Sequence, residues 1–283
     1  MGVTRIAAVL SLVTIFWLLS GTAAWSAPQA ELWPRWEAHD PADITRVDHS
    51  RWGAFLDRYL LPDHPSGVSR VAYGRVTRGD RMSLQRYIAD LEAVRVSGLN
   101  RDEQMAYWLN LYNAVTVELI LDHYPVDSIR DIGISGTAFN RQPWDAKLVT
   151  VEGEEMSLND IEHRVIRPIW QDERIHYAVN CASIGCPNLQ PVPFTAENYR
   201  ELLELAAAEY INHPRGARIE GGRLHMSSIF EWYQVDYGDS IEGVVAHMLQ
   251  YAEQPLAAGL RRYADNRYRP RPRHDYDWAL NEP

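Results

Sequence analysis

Excess positive charge is missing from this sequence. Asp and Glu number 38 against 28 Lys and Arg, a formal net charge of −10. That excludes nucleic acid as the main partner. Known site motifs are missing too. There is no nucleotide-binding glycine loop, no G-x-S-x-G and no H-E-x-x-H, so no cofactor is expected and neither a serine-hydrolase elbow nor a zincin site is present. Internal repeats, low-complexity tracts and a clear linker after residue 50 are also absent, which favours one domain over two. Cysteine is scarce: Cys181 and Cys186, both in one stretch. What remains is 46% hydrophobic and 23% charged, ordinary for a globular protein.

The apolar run Ile6–Leu19 is too short for a comfortable membrane span. It follows Arg5 and leads to Gly21 and to Ala24 and Ser26 in an A-x-S pattern. Residues 1–26 therefore read as a secretory signal peptide cleaved before Ala27, with an uncleaved anchor or a buried helix as the other readings. The mature chain is expected to be periplasmic or secreted, with no stable membrane span. Export places the cysteines in an oxidising compartment.

Residues 27–50 read as an extended N-terminal arm, and 51–283 as a single α+β domain with helices packed around a small mixed sheet. Helices are expected at Trp52–Leu61, from Ser83 to a stop at Gly98, and from Asn100 to about Asp122. Asn100 and Glu103 form a start resembling a capping box. Asn110 and Asn113 lie three apart within the apolar stripe of that helix and need partners. Residues 130–146 read as loop and Lys147–Val151 as a strand turning at Glu152-Gly153. Ser157 and Asp160 cap a helix carrying Glu162 and His163, and Thr195 caps another running to Asn212. Ala217–Met226 reads as a hairpin about Gly221-Gly222, and Ile241–Tyr251 as a helix. The basic tail Arg261–Arg273 is expected to pack on the body or be solvated.

The stretch Arg174–Pro187, RIHYAVNCASIGCP, organises the rest. Its first half alternates, with Ile175, Tyr177 and Val179 on one face and His176, Ala178 and Asn180 on the other. This predicts a strand buried on both sides, ending in a tight loop at Gly185 and Pro187. His176, Cys181 and Cys186 leave three readings open: a thiol nucleophile with a base, a disulfide, or a metal site completed by His163 or His225. The ligand spacing is not that of a zinc finger.

Five motifs in order carry a resemblance. They are YWLNLYNA at 107–114, SLNDIEH at 157–163, IHYAVNCAS at 175–183 with Cys186-Pro187, FEWY at 230–233 running to Asp236-Tyr237, and YDWALN at 276–281. The chain resembles the family called domain of unknown function 547, closely over about residues 95–240. The resemblance implies the fold but no established reaction. Similar members are often secreted bacterial proteins, and some plant relatives join this domain to a glutaredoxin-like one. The chemistry at the matched positions is read from the residue types. Cys181 would be the nucleophile and His176 or His163 its base, within hydrogen-bond reach or one water away, with Glu162, Asn113 or Asp236 orienting the imidazole. Cysteine hydrolases and acyltransferases of the papain or transglutaminase type use such a set, although their cysteine usually precedes the histidine. Cys186, before Pro187, suits a structural or resolving role. The substrate would be a peptide, acyl or thiol compound. The alternative is a non-enzymatic periplasmic module, either thiol-redox with a Cys181–Cys186 disulfide or a binding protein with an aromatic pocket near Phe230–Tyr237.

Overall fold

The computed structural model describes residues 28–135 and 142–283. The signal-peptide reading and part of the 130–146 loop lie outside these. The helices are α1 (Ser50–Tyr59), α2 (Arg78–Glu92), α3 (Arg101–His123), α4 (Arg167–Trp170), α5 (Tyr199–Asn212), α6 (Ile229–Trp232), α7 (Ile241–Tyr251) and α8 (Leu256–Asp265). The strands are β1 (Leu60–Leu61), β2 (Arg70–Val71), β3 (Val149–Val151), β4 (Glu154–Met156), β5 (Ala217–Glu220), β6 (Arg223–Ser227) and β7 (Arg273–Asp275). β1–β2 and β3–β4 are antiparallel pairs, and β5–β6–β7 is a mixed sheet with β7 parallel to β6. This is an α+β single domain. Among the described residues no helix is long and apolar enough to cross a membrane.

α3 is the central element. The Asn100 side chain accepts the N–H groups of Asp102 and Glu103, satisfying two donors that a helix start leaves open. Glu103 does not close a capping box; its carboxylate takes the Val47 N–H at 2.7 Å and so ties the N-terminal arm to the body. Beyond its first turn α3 is buried nearly all round rather than along one stripe, as expected of a helix at the middle of a fold. The two asparagines are buried within it and hold main chain. Asn110 brackets Phe194 through both its N–H and its carbonyl (3.0 and 2.7 Å). Asn113 does the same for the segment before Cys181.

α2 starts at Arg78 under a Thr77 cap, five residues before the expected Ser83. Gly98 ends a short 3-10 turn rather than that helix. The arm is extended but anchored: Trp36 is buried edge-on to Trp108, ring centroids 5.2 Å apart, and the N–H groups of Glu31 and Trp33 reach the carbonyls of His163 and Arg164. The tail reading missed α8 and β7. Arg269 there pairs with Glu242, so the tail packs on the body.

The largest departure is at residues 175–180. The expected strand is a 3-10 helix, Glu173–Tyr177, followed by irregular chain. All of Ile175–Asn180 is buried, and a segment buried on every side alternates apolar and polar residues for reasons unrelated to strand pleating. Its main chain is satisfied by side chains instead of a sheet: Asp172 caps the Arg174 N–H, and Asn113 takes the Ala178 carbonyl and the Asn180 N–H. The segment runs along the seam between two apolar clusters. Ile175, Ala178 and Val179 belong to the one built on α1–α3, and Tyr177 to the one built on α5–α8 and the mixed sheet.

One buried histidine in the first cluster sets an acid limit on this fold. His49 sits inside against Tyr87, its Nδ1 2.6 Å from the hydroxyl, and burial depresses its pKa from 6.5 to about 4. The neutral ring is favoured in the fold, so its contribution is complete above pH 6.5 and is lost as pH falls toward 4, amounting to about 3 kcal/mol. Melting temperature measured across that interval should fall less steeply in His49→Gln than in the wild type. Parallel curves would remove His49 from the account.

Candidate functional site

The chain turns sharply at Cys181. Ala182, the next residue, has φ +60°, a left-handed conformation that costs a residue with a Cβ. Neighbours hold it there. Its N–H donates to the Asn180 side chain at 2.8 Å, and its carbonyl accepts the Asn281 N–H at 3.0 Å. Asn180 also donates to the Pro187 carbonyl, and Tyr210 from α5 donates to the Gly185 carbonyl at 2.6 Å. The C-terminal segment runs alongside: Ile184 and Gly185 donate to the carbonyls of Ala279 and Asp277. The half-buried Cys181 thiol is thus presented by a loop fixed at both ends.

Three groups surround the Cys181 sulfur: the Cys186 sulfur at 3.0 Å, the Ser183 hydroxyl at 3.2 Å and the Tyr276 hydroxyl at 2.9 Å. Burial opposes its ionisation, but hydrogen bonding with Cys186, Ser183 and Tyr276 outweighs burial and brings the thiol below its ordinary pKa. Cys186 is pushed well above the ordinary range by burial and by the neighbouring Cys181, so it stays protonated. Burial and the two sulfurs likewise keep Tyr276 protonated. The disulfide expectation is corrected here. Both cysteines are free, and a sulfur separation of 3.0 Å is a hydrogen-bonded contact, well beyond the roughly 2.05 Å of a covalent bridge.

The second part of the site grows from the helix capped by Ser157 and Asp160, whose side chains exchange hydrogen bonds as expected. The helix opens as a wide π-helical stretch, Asp160–Ile166, before α4, a form that recurs at functional sites. It aims Glu162, His163 and Arg167 inward. The Arg167 guanidinium grips Asp236 in a two-pronged pair, Nε to Oδ2 at 2.8 Å and Nη2 to Oδ1 at 3.0 Å. Its Nη1 donates to His163 Nδ1 at 3.0 Å and to the Pro28 carbonyl at 2.7 Å. Asp236 also accepts from His176 Nε2 at 2.7 Å. Burial would raise the Asp236 pKa, yet His176 and Arg167 hold it well below the usual carboxylate range. Burial keeps His163 neutral by lowering its pKa. The His176 ring stacks on Tyr233 at 3.9 Å, and among the described residues its buried Nδ1 has no hydrogen-bond partner.

These parts meet in one pocket. Cys181, Cys186, His163, His176 and Glu162 line it, together with Tyr112, Trp144, Trp232, Tyr233, Tyr276 and Trp278. The space between these side chains is about 460 Å³ with the open solvent at its mouth counted in, and most of it is not enclosed. Asp236 and Asn113 stand behind the wall, holding His176 and the main chain ahead of Cys181 respectively. No direct hydrogen bond joins His163 or His176 to the Cys181 sulfur: among the described residues its partners are Ser183, Cys186 and Tyr276. Glu162 does not hold an imidazole either; its Oε1 lies 3.8 Å from Nδ1 of both histidines. The described residues contain no group of three or more His, Cys, Asp or Glu placed to hold an ion, so the open metal reading gains no support. His225 sits away on β6 with Glu220 and Asp275 near it. Sequence reasoning missed Tyr276 and Arg167. The YDWALN motif was the available signal for Tyr276, since it stands apart from the other motifs.

Residues 96–211 match the model of a family described as Protein of unknown function, DUF547. The match spans α3, the π-helical stretch, the cysteine loop and α5, and stops before Asp236 and Tyr276. No curated protein and no solved structure matches the chain.

Proposed function

We propose that the protein is a thiol-dependent acyl-transfer enzyme, a hydrolase or acyltransferase, in which Cys181 is the nucleophile and His176 the proton carrier. The observation that carries this reading is the state of His176. Its Nε2 faces a carboxylate held ionised by Arg167, so Nε2 carries the proton in the neutral ring. The lone pair then sits on Nδ1, which is buried, has no hydrogen-bond partner among the described residues and belongs to a ring that lines the same pocket as the thiol. That is the tautomer a general base requires.

The steps follow from this arrangement. The Cys181 proton passes to His176 Nδ1, and the thiolate is stabilised by the Cys186, Ser183 and Tyr276 donors. The sulfur attacks the acyl carbon; the S–C bond forms, the bond to the leaving group breaks, and Nδ1 returns its proton to that group. An acceptor then gives a proton to Nδ1, adds to the thioester, and expels the thiolate. Asp236 stabilises the imidazolium in both halves, the third-member role in a Cys, His and acid set of the papain or transglutaminase type. The chain order here is His176, Cys181, Asp236, so the likeness is one of chemistry. The leader pattern of residues 1–26 supports a periplasmic or secreted setting.

Iodoacetamide labelling of the freshly purified protein, followed by intact mass and peptide mapping, tests the reading. Cys181 should alkylate with an apparent pKa below the free value of about 8.5, and p-nitrophenyl butyrate should leave a butyryl group on it. His176→Ala should slow that acylation by roughly 10²–10⁴-fold. Alkylation with the pKa of a free cysteine and no butyryl adduct would leave the binding-protein alternative standing.

A further inference from the structure

Among the described residues, two buried hydrogen-bond acceptors in the pocket wall beside the thiol have no donor, Glu162 Oε1 and His176 Nδ1. Glu162 Oε1 is left so although the Tyr233 hydroxyl bonds to the same carboxylate group. Oε1 lies 3.8 Å from His163 Nδ1 and 3.8 Å from His176 Nδ1. The His163 nitrogen is an acceptor because Arg167 donates to it. The His176 nitrogen is an acceptor because Asp236 takes the proton side of that ring. The side chains of Glu162, His163 and His176 are 5%, 3% and 1% exposed, so bulk water does not satisfy them. Arg167, the nearby cation, is already bound to Asp236, His163 and the Pro28 carbonyl. A buried carboxylate oxygen left in this state is costly, unless a ligand brings the missing donors.

The rest of the wall indicates which donor. Tyr233, Trp232, Tyr276 and Trp278 line the same pocket. Tyr276 and Trp278 ring centroids are 4.5 Å apart, and Trp232 lies 4.8 Å from Tyr276. Aromatic faces next to a carboxylate favour a cation that carries N–H groups over a neutral donor. We propose that this pocket admits a primary ammonium group, which Glu162 holds next to the thiol, so that an amine and not water is the acyl acceptor.

This rests on the acyl-transfer reading, and the chemistry closes within it. The ammonium loses one proton to His176 Nδ1. The free amine adds to the thioester carbon, the N–C bond forms and the C–S bond breaks. The second nitrogen proton goes to the departing sulfur, regenerating the Cys181 thiol beside a new amide, and His176 Nδ1 releases the first proton to solvent.

The test separates binding from chemistry. In Cys181→Ser, which cannot form the thioester, titration calorimetry with butylammonium chloride should give saturable binding. Butan-1-ol and butanamide should bind at least roughly tenfold more weakly. Adding Glu162→Gln, with the melting temperature checked, should weaken butylammonium by a similar factor and leave the two neutral probes unchanged. If that variant does not fold, the three-probe comparison alone decides. Equal binding of the neutral probes, no binding of butylammonium, or tight uptake of Zn²⁺ that needs Glu162 and His176 would each overturn the ammonium site. The acyl-transfer reading would then survive with water as acceptor. Conversely, butylammonium binding without N-butylbutanamide from the wild type supplied with p-nitrophenyl butyrate would leave the ammonium site standing and remove the acyl-transfer step.

Discussion

Asp236→Asn is expected to lower turnover of p-nitrophenyl butyrate by about 10³–10⁴-fold, by analogy with the loss of the acid in other triads. The carboxylate now receives three donors: His176 Nε2, Arg167 Nε and Arg167 Nη2. An asparagine has one carbonyl oxygen and one NH₂. The oxygen will stay with the guanidinium, because Arg167 carries a fixed charge and is almost wholly buried. The NH₂ must then face His176 Nε2 and turn it into an acceptor, which moves the ring proton to Nδ1. A ring with its proton on Nδ1 cannot take one from Cys181. The fold should survive with a loss of roughly 1–3 kcal/mol, since one neutral hydrogen bond replaces a charged one. Cys181 should still alkylate, because its own donors are untouched. Wild-type turnover in a folded Asp236→Asn protein would defeat His176 as proton carrier.

Asp236 and His176 were both nominated from the sequence, and the reasons some features were legible while others were not are physical. α3, the Ser157–Asp160 cap, the Gly221-Gly222 hairpin and helix Ile241–Tyr251 are set by local chemistry. Each start or turn is fixed by residues within four positions of one another, and the apolar spacing of α3 and of Ile241–Tyr251 needs no knowledge of the rest of the fold. The 173–180 segment was misread because its hydrogen bonds come from Asp172 and from Asn113, the latter 65 residues upstream of Ala178. A pattern of apolar residues carries no record of such a partner. Arg167 went unnoticed for a related reason. An arginine in an apolar helix usually reads as a solvated end, and only the arrival of Asp236 from 69 residues away makes it a buried clamp.

Tyr276 is the most distant of these, 95 residues beyond Cys181, and what brings it there makes Gly185 the most sensitive small residue of the loop. A Cβ at Gly185 would stand 2.8 Å from the Asp277 nitrogen, 2.9 Å from its carbonyl oxygen and 3.0 Å from Tyr276 Cδ1. Two of those atoms are backbone, and the Gly185 N–H already donates to the Asp277 carbonyl at 2.8 Å, so neither strand can move without breaking that bond. Gly185→Ala should therefore push the C-terminal segment off the loop, at a cost of about 1–3 kcal/mol. The Tyr276 hydroxyl would leave the Cys181 sulfur, and the thiol pKa should rise toward its free value of about 8.5. Tyr276→Phe separates the two effects. It removes the hydroxyl from Cys181 and Ser183 while leaving the packing, so it should raise the thiol pKa and cost only about 0.5–1.5 kcal/mol. Thermal melts and the pH dependence of iodoacetamide labelling read both quantities in both variants. If Tyr276→Phe alkylates with the wild-type pH profile, the hydroxyl does not stabilise the thiolate. If Gly185→Ala melts like the wild type, the C-terminal segment is not what holds the cysteine loop in place.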